Sequence, residues 1–273
     1  MKAMTQEILV LGATGKTGRR VVRPLEAAGA HVRAASRSSA HRFDWADEST
    51  WQPVLAGTTA AYLIAPEDPA LAAPFVSLAE ASGVQRLVLL SGRGLDRTPD
   101  DVFQGMHAAE KAVRGCGVAW TILRANNFTQ NFSEEIWQAE VEAGRLSLPV
   151  DDTPEPFVDV QDIAEVAALI LTSSGEHDGR TYDLTGPSSV TFAEALGKIS
   201  AATGRPIELI KLSPADYRES LLSQGVPEQV VADLDGMHES MRNGLLAKPT
   251  DDIARLLGRP ATSFDTYVAE AWS

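Results

Sequence analysis

The chain has 273 residues, 44% of them apolar, with 24 Lys and Arg against 37 Asp and Glu for a formal net charge of −13; that length can bury one α/β core with an appended lobe. Residues 1–126 carry 14 basic against 12 acidic side chains and residues 127–273 carry 10 against 25, so the acidic second part argues against a nucleic-acid partner while the first part suits an anionic ligand. The opening residues lack the apolar run and basic flank of a signal peptide, and no apolar stretch reaches the roughly 18 residues of a membrane helix, which predicts a cytoplasmic protein with no membrane partner.

Ile8-Leu-Val-Leu-Gly-Ala-Thr-Gly-Lys-Thr-Gly18 reads as an apolar strand running into three glycines, followed by an amphipathic helix over 19–28. Strand, tight turn and helix start make a phosphate site, because the first turn of a helix offers unpaired N–H groups and partial positive charge. Gly12 makes the turn, Gly15 admits a pyrophosphate and Gly18 lets the helix lie close, with Thr14, Lys16 and Thr17 beside the phosphates. The spacing is GxxGxxG, so it matches neither the GxGxxG fingerprint nor a P-loop. Residues 31–35 form the second strand of a βαβ unit. Where a reader of the ribose 2′-hydroxyl carries an acid, this chain has Ser36-Arg37-Ser38. A guanidinium among hydroxyls suits a 2′-phosphate, so Arg37 and Ser38 point to NADP(H), unless Arg37 is a solvated turn residue. Phe43-Asp44-Trp45 predicts a short third strand, with Asp44 and Trp45 beside the adenine or Trp45 closing the edge of the core.

Residues 60–64 are a fourth strand, and Ala65 and Pro66 at its carboxyl end fall where ligands collect in doubly wound sheets, although Pro66 also fits a plain loop start. A helix over 69–81 leads to a buried strand, 86–90, that ends in Ser91-Gly92. The polar loop after it predicts a helix start following Thr98, and the helix carries Met106-His-Ala-Ala-Glu-Lys111. Cys116, the only cysteine, excludes an internal disulfide and reads as a small packed residue, and the five histidines lack the spacing of a metal site. After the strand over 118–124, the run from Asn126 to Asn131 leaves the sheet at its ligand-facing end. A helix over 133–143, an extended piece over 146–149 and a surface loop over 151–156 follow. Asp159 or Asp162 caps a helix whose Ile163, Val166, Ala167, Ile170 and Leu171 have core spacing. Residues 181–184 form a last sheet strand. Beyond Thr185, 190–194 read as strand then capped helix, 207–211 as a strand, and 249–258 and 264–272 as closing helices. Met237 and Met241, four apart on a helix, either line an apolar pocket or fill the core.

The opening LxGATGxxG block is followed in order by Ala119-Trp-Thr-Ile-Leu-Arg124, Asn126-Asn-Phe128, Asn131-Phe132, Phe157-Val-Asp159, Asp162-Ile-Ala164 and Tyr182-Asp-Leu-Thr-Gly-Pro187. Together these resemble the NmrA-like group of atypical short-chain dehydrogenase/reductases over nearly the whole chain. The resemblance implies an α/β fold: a Rossmann-type, doubly wound, mostly parallel sheet over 1–126, completed by 157–184, with a smaller α/β substrate lobe from 127–156 and 185–273. It also implies NADP(H) and a small-molecule substrate, and it leaves the oligomeric state open. In the wider superfamily a serine at the place of Ser91 hydrogen-bonds the substrate carbonyl; a serine closing a strand is the plainer alternative. The same superfamily carries Tyr-x-x-x-Lys on the helix before the sixth strand. This chain has His107 in place of the tyrosine and keeps Lys111, and none of its four tyrosines has lysine four residues on. His107 is then a general acid, a substrate-orienting donor or a helix-surface residue. Lys111 holds the nicotinamide ribose or is solvated. The family pattern brings the turn to the nicotinamide half and the substrate, Asn126 to the cofactor and Asn127 and Phe128 to the substrate; a reductase also needs an apolar pocket, which Phe128, Trp137, Met237 and Met241 can furnish. The expected activity is an NADPH-dependent reduction of a carbonyl, quinone or imine in a small, apolar, cyclic molecule. The alternative is a non-catalytic NADP(H) sensor acting through a protein partner.

Overall fold

The computed structural model describes residues 7–273. Strand β1 (Glu7–Leu11) buries Ile8, Leu9, Val10 and Leu11 almost completely and hands the chain through the Gly12 turn to α1 (Gly18–Ala27). There follow β2 (His31–Ser36), β3 (His41–Arg42), α2 (Trp51–Leu55), β4 (Ala60–Ile64), α3 (Ala72–Ala81), β5 (Arg86–Gly92), α4 (Gln104–Gly115) and β6 (Ala119–Ala125). The second half contains α5 (Gln138–Glu142), β7 (Arg145–Leu148), α6 (Val160–Thr172), β8 (Arg180–Leu184), α7 (Phe192–Thr203) and β9 (Glu208–Lys211). It ends with α8 (Pro214–Ser223), α9 (Glu228–Arg242), α10 (Asp252–Leu257) and α11 (Phe264–Ala271).

Seven parallel strands lie in the order β3-β2-β1-β4-β5-β6-β8. Successive strand residues point to opposite faces, and each face has its own cover. Ile8, Val10, Ala60, Tyr62 and Val88 pack with Val21 and Leu25 of α1 and Ile163, Val166 and Ile170 of α6. Leu9, Leu11, Ala61, Leu63 and Leu89 pack with Phe75 and Val76 of α3 and Ala109 and Val113 of α4. The strand order reverses between β1 and β4, so a crevice opens outside their carboxyl ends. Beside that crevice, β7 and β9 pair in a separate two-stranded sheet. Its core is aromatic: Phe132, Trp137, Phe157, Phe192 and Phe264 pack edge to face or tilted around one another. Among the described residues no helix is long and apolar enough to cross a membrane.

Several elements differ from their expected positions for local reasons. The third strand is His41–Arg42 rather than 43–45, because Phe43 turns into an aromatic knot with Trp45, Trp51 and Phe75, and the Asp44 amide donates to Thr50 Oγ1 instead of to a strand. Helix α4 begins at Gln104, five residues later than the polar loop suggests: Phe103 has φ 53°, and its amide donates to Asp233 Oδ1 on α9 at 2.7 Å. No continuous helix spans 133–143. Glu135 takes φ 64°, which a right-handed helix excludes, and only Gln138–Glu142 is α-helical. The expected surface loop over 151–156 ends in the interior, where Glu155 is fully buried and bridges Val190 through both backbone groups at 2.9 and 3.0 Å. Val190 makes only that bridge, and α7 then starts with a capping box between Thr191 and Glu194. Of the two proposed caps for α6, Asp159 serves, while Asp162 is buried and accepts from Thr262 and Arg259.

Candidate functional site

The turn after β1 is held by Ala13 N donating to Ala35 O at 3.0 Å and Gly15 N to Gly12 O at 2.8 Å. Gly12 has φ 65°, and a Cβ there would stand 2.7 Å from Ile64 Cδ1; a Cβ on Gly18 would collide with the Gly12 carbonyl. Glycine at both positions draws α1 tightly onto the turn. Among the described residues, the amides of Thr14, Lys16, Thr17 and Gly18 have no hydrogen-bond acceptor. A helix start with free amides and no acidic residue in its first turn is an anion cradle. At the end of β2 the Ser36 hydroxyl takes up the Ser38 and Ser39 amides and the Ser39 hydroxyl, which shapes a tight turn and leaves Arg37 projecting outward. Arg37 is exposed and, among the described residues, has no partner. The group those features fit is a dinucleotide carrying a further phosphate.

From Lys16 and Thr17 a cavity of about 400 Å³ runs over the carboxyl ends of β4, β5 and β6. Its walls are mostly apolar, with Ile64, Ala65, Leu90, Met106, Phe128 and Met237 among them, and Leu246 and Ser240 close it from the second lobe. Ser91, Asn126 and Asn127 bring polar groups to the strand ends. Lys16 crosses to the other side, giving Nζ–H bonds to Asn131 Oδ1 at 2.7 Å and Glu134 O at 3.2 Å, with Glu135 at 3.5 Å. Burial pushes its ammonium below the ordinary lysine pKa, against the opposing pull of Glu135 and Glu134. Arg19 and Arg20 pair with Glu134, so three cations of the phosphate turn and α1 tie down the segment that carries Glu134, Glu135 and the exposed Ile136.

Ser91 does not stand free. Its hydroxyl donates to Glu110 Oε1 at 2.8 Å, and Arg124 grips the same carboxylate with Nε and Nη2, each at 2.9 Å. Burial works to raise the Glu110 pKa, but the bonds from Arg124 and Ser91 and the charges of Arg124 and Arg114 outweigh it and hold the carboxyl below its ordinary value. With its proton given to Glu110, Ser91 offers the cavity an acceptor. His107 is half-buried on α4, outside the cavity wall, with Nε2 3.2 Å from Thr98 Oγ1. Since Thr98 donates its one hydroxyl proton to Leu95 O at 2.9 Å, Nε2 is the donor in that contact. Lys111 is exposed, away from the cavity, and without a partner among the described residues.

The remaining candidates divide. Asn126, Asn127, Phe128 and Met237 line the cavity. Trp137 is instead buried against Phe132 and Phe192, and Met241 is buried in the same core with its sulfur 3.5 Å from Asn127 Nδ2. Neither forms the wall. Trp45 closes the core edge against Phe43 and Phe75, Asp44 caps its own turn by accepting from Ala46 N, and Ala65 reaches the cavity while Pro66 lies under α4. Thr14 is exposed at the turn and Ser38 beside Arg37. Two residues without a sequence signal belong to the site's frame: Glu110, and Glu155, whose Oε2 accepts from Asn126 Nδ2 at 2.9 Å. Burial raises the Glu155 pKa.

A family profile described as the NmrA-like family matches residues 4–246. The chain is 30% identical to prestalk A differentiation protein A of Dictyostelium discoideum, over 97% of this chain and 92% of that protein. It is 28% identical to an NAD(P)H azoreductase of Xenophilus azovorans, over 95% of this chain and 96% of that one. An Escherichia coli NADPH-dependent quinone oxidoreductase, solved with NADPH, shares the fold with a TM-score of 0.77 at 23% identity, covering 97% of this chain and 100% of the other.

Proposed function

The chain belongs to the NmrA-like family, and from that premise we propose that it is an NADPH-dependent reductase of a small, largely apolar molecule bearing a carbonyl, quinone or imine group. The observation that carries this reading is the apolar cavity that begins at the phosphate turn and continues across the strand ends to Ser91, Asn126 and Asn127. A protein that only sensed the dinucleotide has no need of an apolar chamber beyond it; a reductase does. The free amides of Thr14, Lys16, Thr17 and Gly18 hold the pyrophosphate, and Arg37 takes the 2′-phosphate. NADPH, when bound, supplies a hydride.

The chain's own residues orient the acceptor and shield its apolar body. Met106, Phe128, Met237 and Leu246 enclose the apolar body of the substrate. The Asn127 carboxamide, whose N–H group meets the Met241 thioether sulfur at 3.5 Å, donates to the polar group that gains charge during reduction. Ser91 accepts from an N–H or O–H of the substrate, because its own proton is committed to Glu110. His107, separated from the chamber by Thr98, fixes the wall and does not touch the reacting group. The proton that completes the reduction then comes from water or from the substrate's own hydroxyl.

Single-turnover oxidation of NADPH against a panel of carbonyl, quinone and imine compounds tests this. The reading requires turnover on at least one class, a sharp fall in Asn127→Ala and little change in His107→Ala. No turnover on any class, with NADP⁺ and NADPH bound at clearly different affinities, would replace it with a sensor.

A further inference from the structure

Behind the cavity floor, Asn126 and Glu155 share one hydrogen bond, and each keeps a second polar atom unpaired. Asn126 Nδ2 donates to Glu155 Oε2 at 2.9 Å, while Asn126 Oδ1 and Glu155 Oε1 are both buried and without a partner. The backbones of both residues are pinned. The Asn126 amide is fixed on Leu184 O at 3.0 Å, and Glu155 is fixed through both of its backbone groups on Val190. Side-chain exposure is no escape either, with Asn126 at 3% and Glu155 at 0%. If Glu155 were a carboxylate, Glu155 Oε1 and Asn126 Oδ1 would sit in the interior as two acceptors without a hydrogen bond among the described residues, a state that folded proteins avoid. One proton on Oε1 turns an acceptor into a donor and satisfies both atoms together.

We propose that Glu155 is kept as the neutral carboxylic acid, closing a cyclic acid–amide pair with Asn126, and that this pair positions the turn carrying Asn127 and Phe128 at the cavity floor. The surroundings agree. Burial is the largest influence on the carboxyl and raises its pKa, against weaker opposing effects from Asn126, Asn127 and Arg93. Arg93 is the charged group that acts on it, and its guanidinium is already engaged by Leu246 O at 2.8 Å, Lys248 O at 2.6 Å and Asp183 at 3.7 Å. The Asn127 amide donates to Met241 Sδ at 3.5 Å and also lies near enough to Glu155 to favour its ionised form, more weakly than burial opposes it. The turn hangs directly on the pair: Asn127 O accepts from Val158 N at 2.9 Å, and Phe128 bridges Val158, three residues beyond Glu155. Ionising Glu155 would set its Oε1 against Asn126 Oδ1 and rotate the carboxamide, disturbing the turn. Glu155 is thus a positioning residue, acting through Asn126, and it gives the site an alkaline limit.

The test separates this from the reductase reading, on which only its turnover arm rests. Infrared difference spectra of the protein without cofactor, with ¹³C-labelled glutamate, should show a protonated-carboxyl band at neutral pH that is missing in Glu155→Gln. Glutamine reproduces the acid's donor and acceptor, so Glu155→Gln should restore the NADPH affinity that Glu155→Ala loses by about tenfold, and should abolish the alkaline limb of binding and turnover. If Glu155→Ala does not fold, the band and the pH profile of Glu155→Gln still decide. Absence of the band at neutral pH, or a Glu155→Gln variant whose pH profile matches wild type, would overturn the proposal. A protein that shows the band but turns over no substrate would refute the reductase reading alone.

Discussion

Glu110 offers the sharpest test of how the strand ends are held. Its carboxylate is 8% exposed and accepts from Ser91 at 2.8 Å, from Arg124 twice at 2.9 Å and from Arg114 at 3.3 Å. Glu110→Ala strips Arg124, itself 13% exposed, of its fork and leaves it Asp96, a half-exposed partner at 2.7 Å. Removing one member of a buried pair costs about 3–5 kcal/mol, because the other charge stays behind desolvated. Asp96 offsets part of that, so about 3 kcal/mol is expected. At roughly 2–4 °C per kcal/mol for larger domains, Tm should fall by about 6 °C or more at neutral pH. The sign with pH follows from the lowered carboxyl pKa. The stabilisation is present above the unfolded value of 4.5 and is lost as pH falls through the lower folded value, so wild type and variant should converge in acid. Thermal melts across pH, with the Arg124→Ala single and double variants, measure this. A Tm drop under about 2 °C, or one that does not shrink in acid, would show that the network carries no stability.

Three other outcomes follow from particular contacts. Arg37→Ala should weaken NADPH binding by roughly tenfold to a hundredfold, the worth of one charge-assisted contact, and leave NADH untouched; equal losses for both in a fluorescence titration would remove Arg37 from the 2′-phosphate. Glu134→Ala frees Arg19, Arg20 and the segment over the cavity mouth, so stopped-flow release of NADPH should speed up several-fold. Because these pairs are partly exposed, stability should change by only about 1 kcal/mol or less, and an unchanged release rate would mean that the segment does not gate the site. His238 is 1% exposed, and burial pushes its pKa down to about 4. The folded state then refuses a proton that the unfolded chain accepts below 6.5, so stability should fall by up to about 3 kcal/mol as pH drops from 6.5 towards 4. Urea melts of His238→Phe should lack that acid slope, and an unaltered slope would place its origin elsewhere.

What the sequence made legible was whatever one short window decides. The unbroken apolar run of β1, the glycines that only a turn and a close approach explain, and the Asp159 cap each need a handful of adjacent residues. The partners of Glu110 and Glu155 do not. Glu110 meets Ser91 and Arg124, 19 and 14 residues away, only because β5 and β6 lie side by side. On its own helix it looks like any solvated glutamate. Glu155 sits in a run of acids and prolines that reads as exposed, and its burial is created by the Val190 bridge, 35 positions on.

The same limit governs the helix that carries His107 and Lys111. A spacing of four tells which residues share a face of a helix and not where that face points. In α4 the inward positions are Gly105, Ala109, Glu110 and Val113, with Met106 on the cavity wall. Gly105 sets this orientation, since a Cβ there would collide with the Pro66 carbonyl and only glycine lets the helix start approach β4's end so closely. The pair that faces the strand ends is therefore Met106 with Glu110. His107 and Lys111 lie one residue, or about 100° of helix, further round, where one meets Thr98 and the other meets solvent. A tyrosine placed at 107 would inherit that direction, so substitution there alone would not give this site a phenolic proton donor.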